Sequence, residues 1–512
     1  MATCPIIDTT DTLAEKNNPK KKNIRHVEKR RIATCAFADR VARVSIDHYL
    51  QVVPESERPP QTCLATIVVH DNSQDSLRVM GMGVGTKFLS EAILHEKENE
   101  EKSSIVYGKR VRDCHAEVLA RRAFRRQLTL EILRWIRSGM GIGEIESVLE
   151  PSPSSSNDGL SKYRLRSGLT LHFYSSSAPC GNATLKKFAK MTKERFREDL
   201  RPDEWPQEPH EPIHGSSIQL GQFSLLLKKD SHASAHADNM SSHASFQNHP
   251  TNAPKGKVWP AMLSDEWTPP GTTTVAMTHK GSIHTCSDKI SRWNYLGLQG
   301  SLLSTFLEGP LYLSTVTVGR KFTSCICRRA ICCRMEESKK PMADATSTNV
   351  DPWQVRLNHP AVLGTAVYMD ESGVVETSAD VQGQDVRFHS SKSWCWWPWL
   401  EQEQIMGQVE CIDGWSGYLW NNGGLDEQSN AMSLVSTFSL LHLFLQAHRL
   451  ANGKEDVLFE ESQNEIFTLA SLRSLKKRLC PQYEASKDEL LSKHRIFRQW
   501  RRREYSIHNL PT

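Results

Sequence analysis

The strongest constraint on the fold is a run of strand and helix patterns between residues 62 and 136. Residues 62–70 are rich in Leu, Ile and Val and predict a strand, and residues 77–84 predict a second one. The polar residues 71–75 indicate a turn, so the two strands should form a hairpin. Residues 113–136 carry apolar side chains at helical spacing and predict a long helix. Alternating strand and helix patterns favour a layered α/β core.

The rest of the chain continues this alternation, with a further strand predicted at residues 169–174. Helical patterns occur at residues 32–49, 183–195, 434–448 and 466–500. Six tryptophans between residues 394 and 420 indicate a buried aromatic layer.

The length of 512 residues suits one large domain with insertions, or two to three domains. We expect residues 1–31 to be a disordered basic segment and residues 32–512 to form the functional domain. Residues 203–271 are rich in Pro, Ser and His and predict a mobile insertion, and residues 336–352 predict a polar linker.

Composition excludes a membrane protein, because no stretch approaches the ~18 consecutive apolar residues of a spanning helix. The N-terminal sequence has no basic region followed by an apolar one, so a secretory route is not expected. We therefore expect an intracellular protein of the nucleus, the cytoplasm or both. The 13 cysteines then predict thiols or metal ligands and not a disulfide framework.

The net charge is +5, but the basic residues are concentrated near the two ends, in residues 16–31 and 493–503. Such runs suit a polyanionic partner such as RNA. The alternative for the N-terminal run is a solvated tail or a nuclear-import signal.

Three separated segments carry residues of metal-ligand type: residues 114–117, 178–181 and 285–289. His115, Cys180 and Cys286 would supply one imidazole and two thiolates to a zinc ion, and three protein ligands are typical of a catalytic zinc site. Glu117 follows His115 by two residues, so its carboxylate could exchange a proton with water in the open fourth position.

His-x-Glu followed by Pro-Cys is the signature of zinc-dependent nucleobase deaminases, which usually continue as Pro-Cys-x-x-Cys. Here Ala183 occupies the position of the last cysteine, so Cys286, 106 residues after Cys180, is the candidate third ligand. Two rival metal sites have weaker patterns. The first is the set of irregularly spaced histidines in residues 203–271. The second is a group of four cysteines, which are as compatible with buried free thiols as with a metal site: Cys325, Cys327, Cys332 and Cys333.

The chain resembles the adenosine deaminases that act on RNA. The similarity is carried by His115-Ala-Glu117-Val with Arg121-Arg122, by Pro179-Cys180-Gly181, and by a long segment from Cys286 to Ser304. This resemblance implies a cytidine-deaminase-like α/β core, a mixed β-sheet flanked by helices. It also implies a helical C-terminal extension and disordered insertions.

The resemblance further implies zinc-dependent hydrolytic deamination of adenosine to inosine. No double-stranded-RNA-binding module is recognisable, so the chain is most similar to the tRNA-specific members, which act beside the anticodon of alanine tRNA. We therefore expect tRNA as the partner, without DNA or membrane, and leave the oligomeric state open. The alternatives are a deaminase of mRNA, duplex RNA or cytidine, and a catalytically inactive RNA-binding scaffold.

The family also implies a buried inositol hexakisphosphate, which would neutralise cations in the interior. The residues implied as its contacts are Arg121, Arg122, Lys289, Arg292, Trp293, Ser301, Tyr483, Lys487, Trp500 and Arg503. A lysine expected near residues 433–437 is absent. The alternative is that these cations pair with acids such as Asp113 and Asp288 or lie on the surface. Thr86 and Lys87 match a segment that faces the substrate ribose and phosphate, with an ordinary strand-end turn as the alternative.

Overall fold

A computed structural model gives the fold. It describes residues 35–58, 62–89, 108–138, 147–153, 161–184, 214–215, 218–219, 226–227, 283–332, 335, 355–369, 392–401, 404–414, 416–420, 431–453 and 469–493.

The described strands are β1 (Leu64–Asp71), β2 (Ser76–Val84), β3 (Thr86–Phe88), β4 (Asp113–His115), β5 (Leu149–Pro151), β6 (Tyr163–Leu165), β7 (Leu169–Ser177), β8 (His214–Gly215), β9 (Ile218–Gln219), β10 (Leu226–Leu227), β11 (Ile283–His284), β12 (Thr315–Arg320), β13 (Ala361–Gly364), β14 (Lys392–Glu401) and β15 (Gln404–Asp413). The described α-helices are α1 (Ala36–Val52), α2 (Ala116–Ser138), α3 (Cys286–Leu296), α4 (Ser324–Ile331), α5 (Thr437–Ala451), α6 (Leu469–Leu479) and α7 (Pro481–Lys493).

Seven strands form the central sheet in the order β13–β12–β7–β1–β2–β14–β15. β12 runs parallel to β7 and β13, and the other neighbours are antiparallel. The predicted hairpin is β1–β2, with Leu64 opposite Val84. Helices cover both faces, so the predicted fold class, a mixed sheet flanked by helices, is confirmed.

Helix α2 lies directly on β2 because two glycines leave room for its backbone. A Cβ atom on Gly83 would stand 2.2 Å from the carbonyl oxygen of Ala116, and one on Gly81 would stand 2.7 Å from that of Ala120. Ala116, Ala120 and Phe124 continue this contact in the main core, on the same face as Ile67. The first turn of α2 is therefore held against the end of β2.

Helix α1 covers the opposite face and packs Val41 and Ile46 against Val68 and Val79. Two tryptophans of β14, Trp394 and Trp396, extend this second core, and Trp397 is fully buried on the other face. Three of the six tryptophans predicted to form a buried aromatic layer are thus buried here, whereas Trp420 is half-buried and Trp415 lies outside the described residues.

The C-terminal helical pattern is divided between two helices: α6 ends just before Cys480, and α7 begins just after it. Pro481 is the first residue of α7, a position at which its missing N–H costs nothing. No helix in the described part of the chain has the length and apolar character to cross a membrane.

Several elements predicted from the sequence differ from the structure or lie partly outside the described residues. Helix α2 begins at Ala116 and not at Asp113, because Asp113–His115 pair with β3. The helix predicted at 183–195 starts as a short 3-10 turn, Asn182–Thr184, and its remainder lies outside the described residues. Residues 1–31 and 336–352 lie outside the described residues, as does most of 203–271, so those predictions stay predictions.

Candidate metal centre

His115 is positioned by the two-stranded ladder β3–β4. Thr86 pairs with His115 across this ladder, and Phe88 pairs with Asp113. The ring of Phe88 stacks on the imidazole of His115 at a centroid distance of 5.9 Å. Since α2 begins at the next residue, the strand end fixes both His115 and the first helical turn that carries Glu117.

Cys180 lies in the turn that follows β7. Gly181 has a φ of +94°, and a Cβ atom there would stand 2.3 Å from Oγ1 of Thr285. The turn can therefore pass against the start of α3 only with glycine at this position.

Cys286 is the first residue of α3. Thr285 caps the helix by accepting a hydrogen bond from the backbone N–H of Asp288. The backbone N–H of Cys286 donates to Sγ of Cys180 at 3.3 Å, and that of Ser287 donates to the carbonyl oxygen of Cys180 at 3.1 Å. The helix N-terminus thus faces the Cys180 sulfur, which favours a thiolate.

The structure brings the three predicted ligands together. One ligand atom each of His115, Cys180 and Cys286 lies within 4.8 Å of the other two. His115 and Cys286 are buried and Cys180 is partly buried. One imidazole and two thiolates are a common ligand set of catalytic zinc, which leaves one position open. In the described part of the chain, this is the group that could hold a metal ion.

Asp113 fixes the orientation of the histidine. Its Oδ1 atom lies 2.7 Å from Nδ1 of His115, and its other oxygen contacts Nζ of Lys289. Burial alone would lower the pKa of His115, but the Asp113 carboxylate outweighs it and raises that pKa. With Nδ1 engaged, Nε2 is the nitrogen available to a metal.

The two thiols differ in their acidity. The hydrogen bond from Cys286 lowers the pKa of Cys180, whereas burial raises the pKa of Cys286. The charge of Glu117, which is buried in the first turn of α2, acts to raise the pKa of both thiols. A cation at the centre would offset three negative charges at once.

A family model described as "Adenosine-deaminase (editase) domain" matches residues 81–504. The chain belongs to this deaminase family. The three candidate metal ligands and Glu117 all lie within the matched region.

The relatives of this deaminase domain are named for different RNA substrates. The "Double-stranded RNA-specific adenosine deaminase" of Mus musculus is 25% identical over 353 residues, which are 69% of this chain and 24% of that protein. The "tRNA-specific adenosine deaminase 1" of Mus musculus is 26% identical over 372 residues, which are 59% of this chain and 69% of that protein. The chain thus spans about a quarter of the length of the first of these relatives.

The predicted substrate residues of the deaminase domain point to opposite faces of β3. Thr86 lies across from His115 and is partly exposed. Lys87 lies across from Cys114 and is 1% exposed, and burial lowers its pKa to about 8. The structure therefore brings Thr86 to the metal centre, whereas the side chain of Lys87 is in the interior.

A second charged cluster lies between α2, α3 and the C-terminal helices. Burial and the neighbouring Arg125 hold the pKa of Arg121 well below its usual range, and Arg292 acts in the same direction. Tyr483 of α7 is buried close to all three guanidinium groups. Lys476 lies beside Arg125, and burial lowers its pKa to about 8. We call Arg121, Arg125, Arg292, Lys476 and Lys487 the cation cluster.

Some of the other residues predicted to contact inositol hexakisphosphate lie at this cluster, and others pair with residues elsewhere. The ring of Trp293 is buried beneath the Arg121 guanidinium at 4.8 Å, and Ser301 is buried near Glu484, which pairs with Lys487. Lys289 pairs with Asp113, the alternative that the sequence had left open.

Arg122 donates to the carbonyl oxygen of Val435 and to Oγ1 of Thr437. It therefore contacts the segment in which the expected lysine is missing. Trp500 and Arg503 lie outside the described residues.

Sequence reasoning missed two members of the cation cluster. Arg125 follows Arg121 by four residues, so helical spacing could have placed both on one face of α2. Lys476 lies in the basic run Lys476-Lys477-Arg478, and nothing in that run distinguishes the half-buried lysine from its exposed neighbours.

Proposed function

We propose that this chain deaminates adenosine to inosine in RNA, with zinc held by His115, Cys180 and Cys286. The observation that carries the proposal is the convergence of these three ligands beside the buried Glu117. Family membership supports the reaction class, and the basic runs near both ends of the sequence support an RNA partner.

In this reaction the metal ligands, Glu117 and Asp113 would have different roles. Bound zinc would lower the pKa of a water molecule to roughly 7 and so supply the nucleophile for C6 of the purine. Glu117 would pass one proton of this water to N1. It would then pass the second proton, released as the new hydroxyl on C6 becomes a carbonyl, to the amino group, which leaves as ammonia. Asp113 would keep the imidazole of His115 in one orientation throughout.

The test is Glu117→Gln, which keeps the shape of the side chain and removes its basicity. We expect zinc content to stay the same and inosine formation to fall at least about a hundredfold. The matched control is Glu150→Gln, at a half-buried carboxylate that pairs with the exposed Arg164 across the β5–β6 ladder. Inosine formation at the parent rate by the Glu117 variant would contradict the mechanism. A parent protein that binds RNA without forming inosine would favour the scaffold alternative.

We propose tRNA as the substrate, at the adenosine beside the anticodon of alanine tRNA. The similarity to the mouse tRNA-specific enzyme extends over 69% of that protein, whereas it covers 24% of the mouse duplex-specific one. An anticodon-loop base is already unpaired, so its entry into a pocket costs less than extrusion from a duplex.

This proposal is tested by incubating the purified chain with total tRNA and, separately, with long duplex RNA. Nucleoside analysis should find inosine in the tRNA and none in the duplex. Sequencing of alanine tRNA should then place the inosine beside the anticodon. Inosine in the duplex alone would favour the mRNA or duplex alternative.

We further propose that the cation cluster holds inositol hexakisphosphate. The cations of this cluster are half-buried, and positive charges that are close together and partly removed from water repel one another and are costly without compensation. Among the described residues, Glu484 pairs with Lys487 and Asp488 acts on the same lysine, so the five cations of the cluster outnumber these two acids. A compact polyphosphate fits such a set of guanidinium and ammonium groups.

The test is to denature the purified protein and identify the released small molecules by mass spectrometry. One equivalent of inositol hexakisphosphate is the expected result. Release of simple counter-ions alone would contradict the proposal, and it would leave the zinc chemistry unaffected.

A further inference from the structure

Strand β12 and helix α4 border the metal centre on the side of Cys180. The backbone N–H of Ala178, two residues before Cys180, donates to the carbonyl oxygen of Arg320 at the end of β12. The thiol of Cys327, in α4, donates to the carbonyl oxygen of Ala183 at 3.9 Å. The segment that joins β12 to α4 is therefore held directly against the turn that carries Cys180.

The metal centre is open to solvent at this same turn. His115 and Cys286 are buried, whereas Cys180 is the partly exposed member of the three candidate ligands. A long substrate that reaches the centre therefore extends over the protein surface around the Cys180 turn.

The chain that forms this border carries charge of one sign. Residues 309–335 contain five basic residues and no Asp or Glu. Two of the basic side chains, Lys321 and Arg328, are exposed, and neither forms an ion pair with a residue that the structure describes. Ser324 and Arg328 lie on the exposed face of α4, whereas Cys327 is buried against the turn. We call Lys321 and Arg328 the basic border, which adds net positive charge to the surface beside the centre.

Lys321 has an unusual backbone conformation. Its φ is +62°, in the left-handed region that favours glycine. Among the described residues, Asp75 is the other non-glycine residue with a positive φ, and its side chain contacts His70 and Arg40. The side chain of Lys321 is exposed and makes no such contact with the described part of the chain. A lysine in a strained position that does not stabilise the fold favours a role in binding a ligand.

We propose that the basic border binds the phosphate backbone of the RNA strand beside the reacting adenosine. Contacts between cations and phosphates carry no sequence information, so Lys321 and Arg328 hold the strand in place without selecting a base. Their role rests on the proposed deamination of RNA, because the metal centre is the point to which the strand must lead. Both are binding residues and take no part in proton transfer.

The test is the affinity of the full chain for a labelled alanine tRNA transcript, measured between about 50 and 200 mM salt. Each phosphate contact to a single strand contributes about 0.7 to the slope of log affinity against log salt concentration. Lys321→Gly and Arg328→Gln should each weaken binding at least about threefold and reduce the magnitude of this slope by about 0.7. The double variant should reduce it by about 1.4, twice the effect of one contact.

The glycine variant separates a contact with RNA from a role in folding. Glycine relieves the strain of the left-handed backbone, so the midpoint of urea unfolding should not fall although the affinity for RNA does. Lys321→Arg keeps the charge and should bind the transcript as the parent does. Arg43→Gln is the matched control, because Arg43 is an exposed arginine of α1, which supplies no residue to the metal centre. Its affinity and its salt slope should equal those of the parent.

Two results would overturn the proposal. The first is equal affinity and an equal salt slope for the parent and the double variant. The second is weaker binding with an unchanged slope, because the loss of a phosphate contact must reduce the slope. Inosine formation by the parent is measured separately on the same transcript. A parent that forms no inosine would contradict the proposed deamination, whereas the salt slopes would still decide whether RNA contacts the basic border.

Discussion

Nδ1 of His115 lies 2.7 Å from Oδ1 of Asp113, and the same oxygen accepts the backbone N–H of His115 at 3.1 Å. One carboxylate therefore orients both the ring and the peptide of a predicted zinc ligand. Its second oxygen contacts Lys289 of α3, the helix that begins with Cys286. Asp113 thus links the two elements that supply a nitrogen and a sulfur to the centre.

Asp113→Asn should weaken zinc binding by about 10–100-fold, the usual effect of losing the partner of a metal-bound histidine. The asparagine keeps the size of the side chain but loses the charge that compensates Lys289. Competition with a chelator measures the zinc affinity. Asp75→Asn is the control, because Asp75 contacts His70 and Arg40 on the surface. Equal affinity of the Asp113 variant and the parent would contradict the assigned role.

Gly83→Ala should displace the first turn of α2. The added Cβ would stand 2.2 Å from the carbonyl oxygen of Ala116 and 2.5 Å from the amide nitrogen of Ala120. We expect the free energy of unfolding to fall by about 1–3 kcal/mol, as in other overpacked cores. Inosine formation should fall as well, because Glu117 lies in the displaced turn.

The control for this change is Gly168→Ala. Gly168 also has a restricted conformation, with a φ of +84°, but no atom lies within 4 Å of its added Cβ. The expected cost is about 1 kcal/mol from backbone strain alone, with full activity. Urea denaturation and the tRNA assay measure the two effects separately. A Gly83→Ala protein as active and stable as the Gly168→Ala protein would contradict the close packing.

The core of the fold was predictable because each element carries its own periodic pattern. The β1–β2 hairpin follows from two apolar runs and the polar turn between them. The start of α2 was misplaced by three residues, because Asp113–His115 form a ladder with Thr86–Phe88, which are 27 residues away in sequence. A local pattern does not contain that long-range pairing.

The convergence of the three candidate metal ligands was predictable from residue chemistry, whereas the cation cluster was found only in part. His115 and Glu117 are separated by one residue in sequence, and the residue types around Cys180 and Cys286 are distinctive. The sequence around Lys476 did not predict that this lysine belongs to the cluster. Its burial depends on how α6 packs against Leu302–Thr305, a contact between distant parts of the chain.

Stability should depend on pH through His172. Burial lowers the pKa of this 4% exposed histidine from 6.5 to about 4. Because the folded-state pKa is the lower one, protonation favours the unfolded chain. The stabilising contribution is complete above about pH 6.5 and is lost as the pH falls toward 4. The free energy of unfolding should therefore decrease by up to about 2 kcal/mol between pH 7 and pH 5 through this group.

His172→Asn should flatten this pH dependence. The amide keeps a hydrogen-bonding group between Thr170 and Thr315 but does not titrate. Urea denaturation at pH 7 and pH 5 gives the two free energies. His359→Asn, at an exposed ring, should lose as much stability on acidification as the parent. Equal slopes for the parent and the His172 variant would contradict this origin of the pH dependence.

Removing one charge from the cation cluster should change the free energy of unfolding, and the direction of that change shows whether a polyphosphate neutralises the cluster. Lys476→Met keeps the linear side chain and removes one of several neighbouring positive charges. If a polyphosphate neutralises the cluster, the variant loses an ion pair and the free energy of unfolding falls by about 1–3 kcal/mol. If nothing neutralises it, the variant relieves repulsion and becomes more stable. Lys477→Met is the matched control, because the adjacent lysine is exposed. Urea denaturation of the three proteins, purified without added phosphates, separates the two outcomes, and we expect destabilisation by Lys476→Met alone.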